Sequence, residues 1–354
     1  MGGAAEVRFL WRWTKRLLIA ALVILLLLAL PVIRNETMCR GTAQPQDHTA
    51  IVDQTRDESR TFTTYPEWHI VHAYADYARV IAQGDPHDFR YLSAIGGVWS
   101  SLCPLTEMAD QHGGFTTESK LTIYTIGVSF TLELALKAAY EETFGRVATW
   151  IRGPDHSPLD GLSAQQAADY AAFLQQTPWY LWDFSRDAQA LDDAATGAFR
   201  DRERRLALGI EYRAKAAYAG VIADAVAATG QDELALRALV TGLTADQLAA
   251  SPGVTVIQQR PEGIELETPR YRALTHIQQR IADQGGQMVE IAGNDDILLT
   301  AITDGPAELG ALFSFDLQGS DQVRHLIVVK VPDLAQALRD LPARGARLEH
   351  IHDY

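Results

Sequence analysis

Apolar residues fall into three regimes along the chain. The first is an unbroken run, Leu17 to Ile33, built almost wholly from Leu, Ile, Ala and Val without a charge. With Trp11 and Trp13 in front of it, it reaches the length of a membrane-spanning helix, and the two Trp suit the headgroup level. The second regime, from Tyr65 to about Ala250, repeats at helical spacing: Ile70, Val71, Tyr74, Tyr77, Ala78 and Ile81 predict a helix from Pro66 to about Gln83. Further helices are expected over 121–150, over 163–176 behind the capping-box pattern Ser163-x-x-Gln166, over 199–229, and behind Thr244-x-x-Gln247. The run Leu121 to Leu136 is apolar, but Glu133, Lys137, Glu141 and Glu142 mark it as a core helix of a folded domain rather than a second span. Gly96-Gly97 and Gly113-Gly114 read as loops.

At Ser251-Pro252-Gly253 the pattern shortens. Strands are expected over 254–259, 264–267, 288–291, 297–302, 312–315, 325–331 and 347–351. Helices are expected over 268–284, with Pro269 at its first position, and over 333–341. The expected fold class is therefore α+β: an N-terminal transmembrane helix, a mainly α-helical domain and a C-terminal α+β module with a ferredoxin-like, duplicated character. Residues 1–40 are the cytoplasmic stub and anchor, 41–60 a polar tether, 61–250 the helical domain and 251–354 the α+β domain.

Charge sets the expected address. Arg8, Arg12, Lys15 and Arg16 precede the apolar run and only Arg34 and Arg40 follow it closely, which predicts a cytoplasmic N-terminus and an outer, periplasmic bulk. No small-x-small cleavage site follows the run, so an uncleaved single-pass anchor in a bacterial inner membrane is expected. Lys and Arg number 31 against 45 Asp and Glu, a net charge of −14, which excludes a general nucleic-acid binder. The 354 residues hold two cysteines, Cys39 and Cys103. Outside the cytoplasm they can pair, closing a loop worth roughly 4 kcal/mol; two free thiols are the alternative. Asn35-Glu36-Thr37 is a formal glycosylation sequon too close to the span to be used.

Candidate chemistry lies in four places. Glu67-Trp68-His69-Ile70-Val71-His72 puts His69 and His72 on one helix face, the spacing of a metal pair completed by a carboxylate. Glu133, Lys137 and Glu141 form a stripe on one helix, and Glu203, Glu211, Tyr212 and Lys215 a similar one on another. They are either register-fixing ion pairs or a pocket in which Glu133, Glu141 or Glu211 is a tuned acid. Trp179, Tyr180 and Trp182, with Trp68, are the aromatic candidates for an apolar or lipid ligand. His350-x-His352 places two imidazoles on one side of the last strand. No motif demands a cofactor, and none is expected.

Tyr65-Pro66-Glu67-Trp68-His69-Ile70-Val71, Gly127-Val128-Ser129-Phe130-Thr131-x-Glu133 with Lys137-x-x-Tyr140-Glu141-x-Thr143-x-Gly145-Arg146, Pro178-Trp179-Tyr180-x-Trp182-Asp183-Phe184, and Arg202-Glu203-Arg204-Arg205 with Glu211-Tyr212-x-x-Lys215 occur together. As a set, over roughly residues 60–220, they resemble a family of bacterial proteins with one N-terminal span, a helical outer domain and no assigned activity. The resemblance implies an architecture, not a mechanism. The leading expectation is a membrane-anchored accessory protein that binds an apolar or lipid-like ligand or a partner protein. The alternatives are an acid/base or metal-dependent enzyme using Glu67, His69 and His72 with Glu133 or Glu141, and an accessory subunit of a membrane complex.

Overall fold

The computed structural model describes residues 3–45, 48–229 and 234–354; side chains are described from Trp11 onward, except at 225, 226, 228 and 229. The apolar run forms α1 (Gly3–Met38), which continues unbroken past the end of the run. From Trp11 to Met38 it is long and apolar enough to cross a membrane, and none of its most apolar window is buried in the protein. Its last two turns do touch the folded body. Asn35 is buried and donates to Thr106 and Tyr124, Lys120 and Tyr124 bind Glu36, and Cys39 is bonded to Cys103. The disulfide therefore forms, and the sequon asparagine is sealed inside.

The helical part follows as α2 (Arg60–Thr63), α3 (Tyr65–Gln83), α4 (Tyr91–Gln111), α5 (Thr117–Tyr140), α6 (Arg146–Arg152), α7 (Pro158–Leu174), α8 (Phe184–Ala194) and α9 (Phe199–Thr229). A single π turn, Glu141–Gly145, joins α5 to α6, so the pair is one long rod with an inserted residue that re-aims its second half. Helix α7 starts at Pro158, not at Ser163: the capping box is Ser157 with Asp160, and Ser163 sits inside the helix bonding the Asp160 carbonyl. Gly96 and Gly97 also lie within a helix, α4, and not in a loop. A Cβ on Gly97 would come within 2.7 Å of the His69 ring, so the missing side chain lets α3 and α4 close up.

Residues 235–241, read from the sequence as part of the helical domain, form a strand instead, whereas Thr244 and Gln247 cap the short helix that their spacing predicts. Strand β1 (Ala235–Thr241) and α10 (Ala245–Ala249) precede β2 (Thr255–Arg260), β3 (Gly263–Pro269), α11 (Arg272–Asp283) and β4 (Gln287–Ile291). These strands form one antiparallel sheet in the order β2-β3-β1-β4. Then come β5 (Asp296–Thr303), β6 (Phe313–Asp316), β7 (Val323–Lys330), α12 (Val331–Asp340) and β8 (Ala346–His352), whose strands form a second antiparallel sheet, β6-β7-β5-β8. The two sheets repeat one strand order, with the first helix of the second unit replaced by a loop. Pro269 closes β3, and α11 begins after Tyr271, which takes a positive φ of 63° to turn the chain.

Strand β5 is buried along its whole length. Ile297, Leu299 and Ala301 face the core shared with the first sheet, α11 and α12, whereas Leu298 packs on the other side with Leu326, Phe62, Tyr65 and Trp68 from the helical part. A central strand covered on both faces needs a continuous apolar run, which Ile297-Leu298-Leu299 supplies. Residues 48–58 do not hang as a tether. They lie against the sheets: Ile51 and Val52 donate to the buried Glu290 carboxylate, Arg56 donates to the Ala292 carbonyl, and Glu58 accepts from Asp295 and Asp296.

Candidate functional site

Two segments that stand almost three hundred residues apart in sequence meet where the second sheet covers the helical part. Helix α3 presents Tyr65, Trp68, His69, His72 and Asp76; β8 presents Glu349, His350 and His352; β7 presents Arg324. A register shift in the β5–β8 ladder makes this possible. Thr300 pairs with His350 and Ala301 with Leu348, so Glu349 is the extra residue of a bulge. Without it the strict alternation of β8 would point Glu349 away from its neighbours His350 and His352. Thr61 of α2 ties off the ladder: its hydroxyl accepts from the Leu298 amide and donates to the His352 carbonyl at 2.6 Å.

The groups in this seam are dry. All four imidazoles are buried, and Trp68 lies over His350 with ring centres 3.5 Å apart. His350 Nδ1 bonds the Thr275 hydroxyl and His69 Nε2 the Ala94 carbonyl. Among the described residues, His69 Nδ1, His72 Nε2, His350 Nε2 and both nitrogens of His352 have no hydrogen-bond partner. Arg324 spans the seam, bonding Glu349 at 2.5 and 2.6 Å, and His72 Nε2 approaches the same carboxylate at 3.6 Å. Burial, with the Arg324 charge beside it, pushes His69 down to about 3. Burial pushes His352 down to about 3, and it holds His72 and His350 well below the ordinary histidine range, each helped by neighbouring imidazoles. The four rings are therefore neutral at neutral pH. Glu67 is exposed on α3, so it does not share the dry seam with His69 and His72.

The acidic stripes of α5 and α9 meet in a second place. Lys215 Nζ lies 2.7 Å from Glu133 and 3.0 Å from Glu211; Lys137 bonds Glu211 at 3.2 Å; Tyr74 donates to Glu133 at 2.6 Å. Burial opposes the charge on Lys215, but Glu133, Tyr74 and Glu211 more than offset it and raise the lysine. Burial likewise opposes ionisation of Glu211, yet the two lysines hold it down to about 2. Glu211 is thus a fixed anion and not a proton donor near neutrality. Below the lysines a cavity of about 10 Å³, lined by Tyr74, Tyr77, Phe89 and Phe130 among others, has room for one water. Glu141 stands apart from this group, one turn further along, clamped by Arg204 at 2.8 and 3.1 Å.

Trp179, Tyr180 and Trp182 build a corner where α7, α8 and α9 meet. Trp179 packs on Tyr218, and Trp182 lies against Tyr170 and Phe173 while its Nε1 donates to Asp187 at 2.7 Å. They do not line the cavity just described. Among the described residues, ligand atoms with metal-like spacing occur in Glu58, His112 and Asp296, and in Asp85, His87 and Asp88. In the first group Lys330 already sits 2.5 Å from Asp296. Sequence reasoning passed over Arg324 and Glu349; a lone arginine inside the apolar strand Val323–Lys330 was the available signal. No protein-family model, no curated protein and no solved structure matches the chain.

Proposed function

We propose that this protein is a membrane-anchored accessory protein of a bacterial inner membrane, with a cytoplasmic N-terminus, that works by binding. Its ligand is an apolar or lipid-like molecule or a partner protein. The observation that carries this is the mounting of α1. The apolar helix runs into the body without a hinge and is held there by the Cys39–Cys103 bond, by Asn35 and by Glu36. A flexible leash would suffice to keep an enzyme near a membrane; a rigid mount fixes which face of the body meets the bilayer and its occupants. The family resemblance agrees with this architecture, and we read the two sheets, with their shared strand order, as ferredoxin-like units.

The competing reading, an enzyme using Glu67, His69 and His72 with Glu133 or Glu141, asks those groups to share a cleft. They lie in four places: an exposed helix face, a dry seam, a lysine-paired cluster and an arginine clamp. The subunit reading keeps the same mount and differs only in the partner. Native mass spectrometry of the full chain released from membranes tests the proposal: a retained lipid or a stoichiometric partner is expected, and a bare monomer that turns over substrate overturns it. Protease added to spheroplasts should degrade the body; protection would reverse the orientation.

A further inference from the structure

We propose that Ser314 is a nucleophile activated by His325, and that it takes the acyl group of a neutral carboxylic ester or thioester. The site is separate from the histidine seam. It adds a covalent step to a protein read above as working by binding, and does not rest on that reading.

Strand pairing assembles the group. Ser314 on β6 stands directly opposite His325 on β7. On its other side His325 pairs with Ala301 of β5, which makes Thr303, two positions along, its diagonal neighbour on the same face. Side chains alternate along a strand, so His325 turns away from the seam that Arg324 spans. The imidazole is buried, at 2% exposure, whereas Ser314 is open to solvent. Both ring nitrogens are engaged: Ser314 Oγ lies 2.8 Å from Nδ1, and Thr303 Oγ1 lies 2.8 Å from Nε2.

The direction of these bonds is fixed from one end. Thr303 donates its one hydroxyl proton to the Gly305 carbonyl at 2.5 Å, and a carbonyl oxygen can only accept. Thr303 Oγ1 must therefore accept from His325, so Nε2 carries the ring proton and Nδ1 keeps its lone pair. Ser314 is then the donor, with its hydroxyl proton aimed at a free base. Burial lowers His325 below the ordinary histidine value, and the Glu308 carboxylate offsets this only in part, so the ring is neutral at neutral pH. A hydroxyl on a neutral imidazole that a third group orients is the arrangement of an activated nucleophile.

The same geometry selects the electrophile. Glu308 acts on His325, and Asp316 lies two positions from Ser314 on the same face of β6. Both are carboxylates and repel an anionic phosphate, which favours a neutral carbonyl. Ser314 Oγ attacks the carbonyl carbon as its proton passes to His325 Nδ1. The bond from that carbon to the leaving oxygen or sulfur then breaks, and the departing alkoxide or thiolate takes the proton back from the imidazolium. The products are an acyl-serine and an alcohol or thiol, with His325 neutral again. Strand β6 is the edge of its sheet, so the backbone N–H groups on its outer side have no strand partner and can donate to the oxyanion.

The test treats the full chain in detergent with p-nitrophenyl acetate, follows p-nitrophenolate by absorbance and locates acetyl groups by peptide mass spectrometry. We expect a burst of about one p-nitrophenolate per chain, as an activated serine gives, and an acetyl group on Ser314. Ser314→Ala, at an exposed position, should remove both, and His325→Gln should slow the burst about 100-fold or more, the size of a general-base contribution. Thr303 is a positioning residue. Thr303→Val keeps the shape of the side chain but removes the acceptor at Nε2; it should slow the burst and turn the nitrogen-15 signals of His325 from a single Nε2–H form into a tautomer mixture. A purely structural role in β5 would leave those signals alone. Acetyl groups confined to lysines and the N-terminus overturn the proposal. So does Ser314 acetylated as fast in His325→Gln as in the parent, or a parent ring protonated at Nδ1. Release that continues past the burst and needs both Ser314 and His325 keeps the nucleophile and counts instead against binding as the whole function.

Discussion

His69, His72, His350 and His352 tie the stability of the fold to pH. Each is neutral and buried in the fold, with a pKa below that of an unfolded histidine. Unfolding therefore takes up protons, and the stability they contribute is present above about pH 6.5 and is lost as pH falls below it. Four such groups give a slope of up to about 5 kcal/mol for the first pH unit below that point, at about 1.4 kcal/mol per proton and unit. Urea midpoints measured between pH 7.5 and about pH 5.5 should fall steeply; a flat profile would show that the rings are not held neutral. Other groups facing the seam are Arg324, Glu349, Asp76, Arg79 and Tyr65, and across α11 Arg272 and His276. Arg324 and Glu349 set a second expectation. Glu349→Gln leaves a buried guanidinium without its anion and should cost about 3–5 kcal/mol by denaturant titration, whereas replacing both partners with apolar residues should cost much less. At Gly97 even a methyl is too large: Gly97→Ala drives into the His69 ring, and it should destabilise the protein despite the higher helix propensity of alanine.

The elements that could be read from sequence are those whose periodicity answers to a single neighbour. Helix α3, helix α9 and the strand around Ile297 fall where the apolar spacing puts them. Strand β1 was missed because Leu236, Ala238, Leu239 and Val240 follow a long helix and carry no turn-rich boundary of the kind seen at Ser251-Pro252-Gly253; pairing with β3 and β4, not local propensity, makes the strand. The two candidate histidine pairs were visible as separate motifs. Their meeting was not, because it depends on a one-residue bulge at Glu349 and on the absence of a Cβ at Gly97. The π turn of the α5–α6 rod is a similar case. A Cβ on Gly145 would stand 2.3 Å from the Glu141 carboxylate that Arg204 holds. Gly145→Ala should therefore act like a partial loss of the Glu141–Arg204 pair, lowering Tm in the same direction as Glu141→Gln and by less. Equal stability of Gly145→Ala and the parent would remove the pair's claim to fix the turn.

At the scale of the whole molecule the Cys39–Cys103 bond closes a loop across 64 positions and joins the end of α1 to α4. Replacing both with Ser should lower the body's stability by about 4 kcal/mol in the chain-entropy model. It should also let α1 pivot, which distance measurements between labels on α1 and α4 would detect as a broadened distribution. The seam between α3 and β8 has a different implication, for how the polypeptide is made. A chain emerges from the ribosome N-terminus first, so Phe62, Tyr65 and Trp68 are exposed to solvent long before Arg324, Glu349 and His350 exist to cover them. Throughout synthesis the nascent helical part carries a bare aromatic flank that only β5, β7 and β8 can close. Chaperone capture during biogenesis should therefore centre on α2 and α3, and truncations that stop short of β8 should be cleared by proteolysis rather than accumulate as a free-standing helical fragment.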